Sequence, residues 1–242
     1  MSIENSKDKR AERIINEYKI PNQKFIDEKV ENMIVFFGSA RAPSTGEAET
    51  LKKSNPNNPK LKLTKYSKDA EMLAFMLSEW NQQTFGYHKY SICTGGGPGI
   101  MRAANKGAYD GGGKSIGLSI ELPFEEETNP YLSENLDFNF HYFFMRKFWF
   151  AYRAEALVIM PGGFGTMDEL FEMLTLIQCQ KIKKTFPIVM FGKEFWNKFL
   201  NMEALLDYGV INKEDLENIF YTDEVDEAYK YITFKLEKLN NK

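Results

Sequence analysis

Histidine and cysteine are scarce in this chain of 242 residues, which has two of each. Neither Cys93 nor Cys179 stands at zinc-ligand spacing from another ligand type, and His88 and His141 have no matched partners, so a thiolate- or imidazole-bound metal is not expected. Both cysteines fall in stretches that read as buried and are expected to be small core hydrophobes, whereas both histidines are expected to be structural or surface groups. No metal and no organic cofactor is expected. Long apolar runs are absent too, and nothing approaches the roughly 18–20 uninterrupted residues of a membrane helix. Residues 1–32 are polar and charged without the apolar centre of a signal peptide, so the expected location is cytoplasmic. Nor is there an excess of one charge. The 31 Lys and Arg nearly balance 34 Asp and Glu, for a net charge of −3, which argues against a nucleic-acid partner held by bulk electrostatics.

What remains is a chain that is 43% hydrophobic and 14% aromatic, enough for a sizeable core. Short apolar or β-branched runs at 33–37, 90–93, 115–120, 137–140, 156–160 and 186–191 read as strands, with turns or helical stretches between them. The alternation predicts an α/β fold, a Rossmann-like, doubly wound, mostly parallel sheet with helices on both faces. Residues 32–242 are expected to form one such domain behind a charged helical extension, 1–31. Its helix is predicted over 5–18, ending before Pro21. Core-facing helices are predicted over 69–80, with Met72, Leu73, Met76 and Leu77 inward, and over 167–180, with Leu170, Met173, Leu174 and Ile177 inward. Residues 43–64, with Pro56, Pro59 and several asparagines and lysines, read as an exposed loop insertion. Residues 216–236 read as closing helices.

In sheets of this kind ligands lie beyond the C-terminal ends of the strands. Three loops fall there. The strand at 156–160 runs into Pro161-Gly162-Gly163-Phe164-Gly165-Thr166 and then a helix, and helix-start amides with the helix dipole make a phosphate site to which the Thr166 hydroxyl can add. A second loop of the same design, Gly95-Gly96-Gly97-Pro98-Gly99, follows the strand at 90–93. The third is Gly38-Ser39-Ala40-Arg41, where Ser39 and Arg41 read equally well as groups closing over a nucleotide or as turn residues. Two anion loops point to a phosphorylated ligand held between them. A dinucleotide oxidoreductase is disfavoured, because Ile100 stands where G-x-G-x-x-G needs its last glycine and Asp110 lies too near to be the ribose acid.

The run from Pro161 to Glu169 matches Pro-Gly-Gly-x-Gly-Thr-x-x-Glu at every fixed position. Together with the Gly95 loop and the pair Arg146-Lys147 it resembles the LONELY GUY family, long labelled putative lysine decarboxylases, and its longer bacterial forms in particular, over about residues 33–232. The resemblance implies a Rossmann-like homodimer that hydrolyses the N-glycosidic bond of nucleoside 5′-monophosphates, giving free base and ribose 5-phosphate. Plant members release cytokinins in this way and bacterial relatives often accept AMP. The decarboxylase label has no support in these residues, which offer no context for a pyridoxal-phosphate lysine.

The chemistry can be argued from the residues as well. Glycosidic cleavage builds positive charge at the anomeric carbon, which a carboxylate stabilises while orienting water. Glu169 is placed for that role, and at the start of its helix the dipole is expected to outweigh burial and keep its pKa low. Arg146 is expected to stabilise charge on the departing base or bind phosphate. Lys147, turned about 100° away on a helix, reads as a phosphate contact or a solvent-facing group. Asp168 reads as a helix-terminus acid, and Glu172 as solvated or dimer-facing. The aromatic residues Phe143, Phe144, Phe148, Trp149, Phe150 and Tyr152 suit core or dimer packing better than purine stacking. A homodimer is expected to pair through 145–153 and to complete the active site. The competing function is a non-catalytic carrier or sensor of a phosphorylated ligand, like the molybdenum-cofactor carriers, which would not need Arg146 and Glu169 together.

Overall fold

A computed structural model describes residues 3–122, 129–182 and 186–240. Seven parallel strands, β1 (Asn32–Phe37), β2 (Tyr90–Thr94), β3 (Ser115–Ile120), β4 (Asp137–Phe140), β5 (Ala154–Ile159), β6 (Ile188–Phe191) and β7 (Ile219–Thr222), form one sheet in the order β4-β3-β2-β1-β5-β6-β7. The chain builds outward from β1 to β4 on one side, then returns to lay β5 on the other side of β1. That reversal opens a crevice at the C-terminal ends of β1, β2 and β5.

Both sheet faces are covered, which is why β1 reads as an unbroken apolar run. Met33, Val35 and Phe37 face one core and Ile34 and Phe36 the other. The first core takes Phe25 from α1 (Ile3–Asp27), Trp149 and Phe150 from α5 (Phe143–Arg153), Leu170 and Met173 from α6 (Phe164–Gln178), and Trp196 from α7 (Lys193–Phe199). The second takes Leu73 and Leu77 from α3 (Thr64–Phe85), Ile100 and Ala104 from α4 (Ile100–Asp110), and Ile232 and Leu236 from α9 (Val225–Asn240). A short helix, α8 (Met202–Asp207), follows α7. Among the described residues no helix is long and apolar enough to cross a membrane.

Several boundaries differ from the sequence expectations for identifiable reasons. Helix α1 does not stop before Pro21 but runs through it to Asp27. Proline leaves the carbonyl four residues back, that of Glu17, without its helical donor, and here the Trp149 indole N–H donates to that oxygen at 2.9 Å. The Glu17 carboxylate also accepts from the backbone amides of His141 and Tyr142, just ahead of α5, at 3.0 and 3.3 Å. The segment expected as a loop insertion, 43–64, is mostly helical. It holds α2 (Thr45–Ser54), started by a reciprocal Ser44/Glu47 capping box, and a 3-10 turn over Pro59–Leu63 that leads straight into α3. On α3 the expected inward Met72 is exposed while Leu73 and Leu77 are buried. Residues 216–236 contain the edge strand β7 before α9 begins. Cys93 is buried as expected, but Cys179 is exposed, because α6 ends one residue earlier.

Candidate active site

The crevice is a cleft of about 620 Å³ crossing the C-terminal edge of the sheet. Its floor is the turn after β1, which is clasped from both sides: Ser39 N–H donates to the Pro161 carbonyl at 3.0 Å, and Ile100 N–H donates to the Ser39 carbonyl at 3.1 Å. Ser39 and Arg41 both line the cleft, and the Ser39 hydroxyl accepts from the Arg41 amide at 3.1 Å, so Ser39 is also a turn residue.

The loop from Pro161 to Thr166 forms one wall. Gly163 is the N-cap of α6, and no side chain caps the helix. Gly163 and Gly165 are exposed, and a methyl group built on either would touch nothing within 4 Å. Thr166, by contrast, is buried and packs against Gly162.

The Gly95 loop is different. Gly95 and the following Met101 line the cleft, but Gly96, Gly97, Pro98 and Gly99 do not. Gly96, at φ 74°, packs against Ser119 and Gly117, and Gly99, at φ 68°, packs against the backbone of Ser39 and Ala40. Gly96 and Gly99 thus serve close packing of protein on protein, and of the five residues expected to face a phosphate only Gly95 lines this cleft.

Arg146 reaches the cleft from α5. Its Nε donates to the Leu118 carbonyl at 2.8 Å, its guanidinium lies 5.3 Å from the centre of the Phe150 ring, and its end abuts Gly95, where a methyl group would come within 2.5 Å of Nη2. Lys147 does not line the cleft. It is paired at 2.9 Å with both Asp168 and Glu172, which assigns partners to two acids expected to be a helix-terminus and a solvated or dimer-facing group.

Glu169 lines the cleft and is only 6% exposed. The expectation of a low pKa is overturned. Burial, opposed by the charges of Arg146 and Lys147 and reinforced by Glu172 and Asp168, pushes its pKa up to about 7. The dipole loses because its influence is concentrated at the very start of the helix, and Glu169 sits five residues past Phe164, the first residue of α6. Sequence reasoning also missed the apolar lining made by Met101, Phe164, Phe195, Phe199 and Leu63, and favoured core or dimer packing for Phe143, which lines the cleft and is exposed. Phe164, at 95% exposure, could have been found as the variable position of the glycine motif, but Leu63 carries no local signal. No group of three or more His, Cys, Asp or Glu able to hold a metal occurs among the described residues.

Comparisons with known proteins agree with this architecture. The model of the family described as "Possible lysine decarboxylase" matches residues 101–232. A rice protein named probable cytokinin riboside 5′-monophosphate phosphoribohydrolase LOG4 is 32% identical over 119 residues, 48% of each chain. The cytokinin riboside 5′-monophosphate phosphoribohydrolase of Mycobacterium tuberculosis is 34% identical over 82 residues, 32% of this chain and 42% of its own. This chain thus spans about half the length of the curated relatives it matches. Among solved structures, the X-ray structure of TM1055 superposes with a TM-score of 0.57 at 22% identity, over 84% of this chain and 99% of the other, which supports the fold.

Proposed function

The chain belongs to the family described as possible lysine decarboxylases, which includes the LONELY GUY proteins, and from that premise we propose that it is a nucleoside 5′-monophosphate phosphoribohydrolase. The observation that carries the reading is Glu169, a buried carboxyl titrating at about 7, in one cleft with Arg146 and an uncapped, glycine-lined helix start. A group poised near neutrality suits proton transfer. In this reading the 5′-phosphate rests on the Gly162–Thr166 turn, and ionised Glu169 orients a water and takes its proton as the water oxygen bonds to the anomeric carbon. The glycosidic C–N bond breaks with its electron pair going to the base, which takes up a proton from solvent, and Glu169 then releases to solvent the proton it received. Arg146 stabilises the charge on the departing base, and Ser39 and Gly95 shape the neighbouring wall. AMP and cytokinin-type monophosphates are the candidate substrates, and a cytoplasmic location fits them.

The decarboxylase description suits the cleft poorly. Among the described residues its lining contains no lysine to form a Schiff base. Lys147, close by, is pulled down by burial but raised on balance by its bonds to Asp168 and Glu172, away from the neutral amine such chemistry needs.

The test is to incubate the purified protein with a panel of nucleoside monophosphates and the matching nucleosides, and to follow free base by chromatography. AMP or another purine monophosphate is expected to be hydrolysed and its nucleoside hardly touched. Equal turnover of AMP and adenosine would remove the phosphate anchor from the reading.

We also propose a homodimer through α5. Phe144, Phe148 and Tyr152, with Tyr18 of α1 beside them, form an exposed aromatic patch on the outer side of the helix that holds Arg146. Light scattering is expected to give twice the chain mass, and a fully active monomer would overturn the pairing.

A further inference from the structure

A buried amide lies directly behind the cleft. Asn105 on α4 is fully buried, and all four hydrogen-bonding positions of its side chain are used. Its Oδ1 accepts from the Thr94 hydroxyl at 2.6 Å and from Asn129 Nδ2 at 2.9 Å, while its Nδ2 donates to Ser115 Oγ at 2.8 Å and to the Ile116 carbonyl at 3.3 Å. The amide can face only one way. Ile116 requires an N–H donor, and the Thr94 hydroxyl, which accepts from Gly96 N–H at 2.9 Å, gives its own proton to Asn105.

The consequence is carried to the cleft by the turn after β2. Thr94 pins Gly96, whose positive φ turns the chain against Ser119, and this fixes Gly95 against the end of the Arg146 guanidinium. Arg146 is held on its other sides by the Leu118 carbonyl and the Phe150 ring. If Gly95 moved, the guanidinium would lose one wall of its socket.

We propose that Asn105 is a positioning residue that sets Arg146 beside Glu169 by holding the Thr94–Gly96 turn, a role in catalysis that rests on the phosphoribohydrolase reading above. The link has an electrostatic signature. Arg146 and Lys147 lower the Glu169 pKa against burial and the charges of Glu172 and Asp168, so a displaced Arg146 lets that pKa rise. A purely structural staple between α4, β2 and β3 would leave it in place.

The experiment follows the Glu169 carboxyl by ¹³C NMR titration in the full chain, alongside pH–rate profiles, for Thr94→Val, Thr94→Ser and Asn105→Ala. Thr94→Val keeps the side-chain shape and removes only the hydroxyl link, so it tests the idea even if Asn105→Ala fails to fold. Thr94→Val is expected to move the titration upward and to lower kcat by roughly 10-fold with KM nearly unchanged, the scale of a slightly misplaced catalytic group. Thr94→Ser, which keeps the hydroxyl, is expected to restore both, and in an Arg146→Ala background Thr94→Val is expected to shift the titration no further. A folded Thr94→Val protein with an unmoved titration overturns the positioning role, whatever its activity. If the titration moves but the wild-type chain cleaves none of the monophosphates, the positioning of Arg146 stands and the assignment of the reaction falls.

Discussion

Two loops of nearly the same composition end adjacent regions of the sheet, and they use their glycines for opposite purposes. At Gly163 and Gly165 the missing side chains leave open space above a helix start, the condition for a ligand to approach the backbone. At Gly96 and Gly99 the missing side chains are filled by the protein itself, by Ser119 in one case and by the Ser39 and Ala40 backbone in the other. Even the first amide of α4, that of Ile100, is already donated to Ser39. A glycine-rich turn between a strand and a helix is therefore a statement about close approach, and what approaches has to be read from the surroundings. Each loop also serves one charged group: Glu169 belongs to the helix behind the open loop, and Arg146 leans on the packed one.

The largest effects test whether those two groups act at one centre. Glu169→Gln and Arg146→Ala are each expected to lower kcat by roughly 100-fold or more while circular dichroism stays unchanged, the scale of losing one preorganised electrostatic group. Near-normal turnover in Arg146→Ala alone would reduce the packed loop to scaffolding and break the symmetry of the comparison.

The glycines themselves give the next contrast. Gly99→Ala forces a methyl group onto the Ser39 carbonyl at a positive φ, and it is expected to cost about 2–4 kcal/mol, seen as a fall in Tm of roughly 5–15 °C. Gly163→Ala, at φ −96° and with nothing in the way, is expected to leave Tm within about 1 °C and to raise KM for a monophosphate, because the methyl group occupies the space above the helix start. A destabilised Gly163→Ala or a fully stable Gly99→Ala would show that the two loops had been assigned the wrong way round.

A smaller effect sharpens the view of Glu169. Its folded pKa of about 7 lies above its ordinary 4.5, so the folded state binds the extra proton between those values and stability falls as pH rises through that window. Glu169→Gln removes the penalty. The variant is expected to be more stable than wild type by about 1–3 kcal/mol at pH 8 and nearly equal near pH 4.5, measured by urea unfolding. The same titration places the acid limb of the wild-type rate profile near pH 7, since the ionised form accepts the water proton. Equal stability of the two proteins at pH 8 would mean that Glu169 ionises as if exposed.

The sheet was largely legible because strands buried on both faces leave unbroken apolar runs, as at Met33, Ile34, Val35, Phe36 and Phe37. Strand β7 was harder to see, being four residues long at an edge and only partly buried. Helix α2 carries one local signal, Ser44 followed three residues later by Glu47, but the prolines and asparagines beyond it give the segment the composition of a loop. At the site, the motif located the open loop, and the helical position of Glu169 followed from it. The protonation of Glu169 could not be read there, since it depends on how deeply neighbouring elements bury the carboxyl. The same limit hid the Asn105 network, whose members are spread over α4, β2, β3 and the segment at Asn129.

The proline in α1 makes the first helix a brace for the proposed site as well as a part of the core. Because Pro21 releases the Glu17 carbonyl to Trp149, and the Glu17 carboxylate gathers the amides that lead into α5, one residue of α1 grips both the start and the middle of the helix that carries Arg146. A chain shortened to begin at Asn32 would keep every residue that lines the cleft and still lose the brace that sets the angle of α5. Removing α1 is therefore expected to open the core around Phe25 and, in whatever protein still folds, to lower the proposed hydrolysis although α1 never touches the cleft.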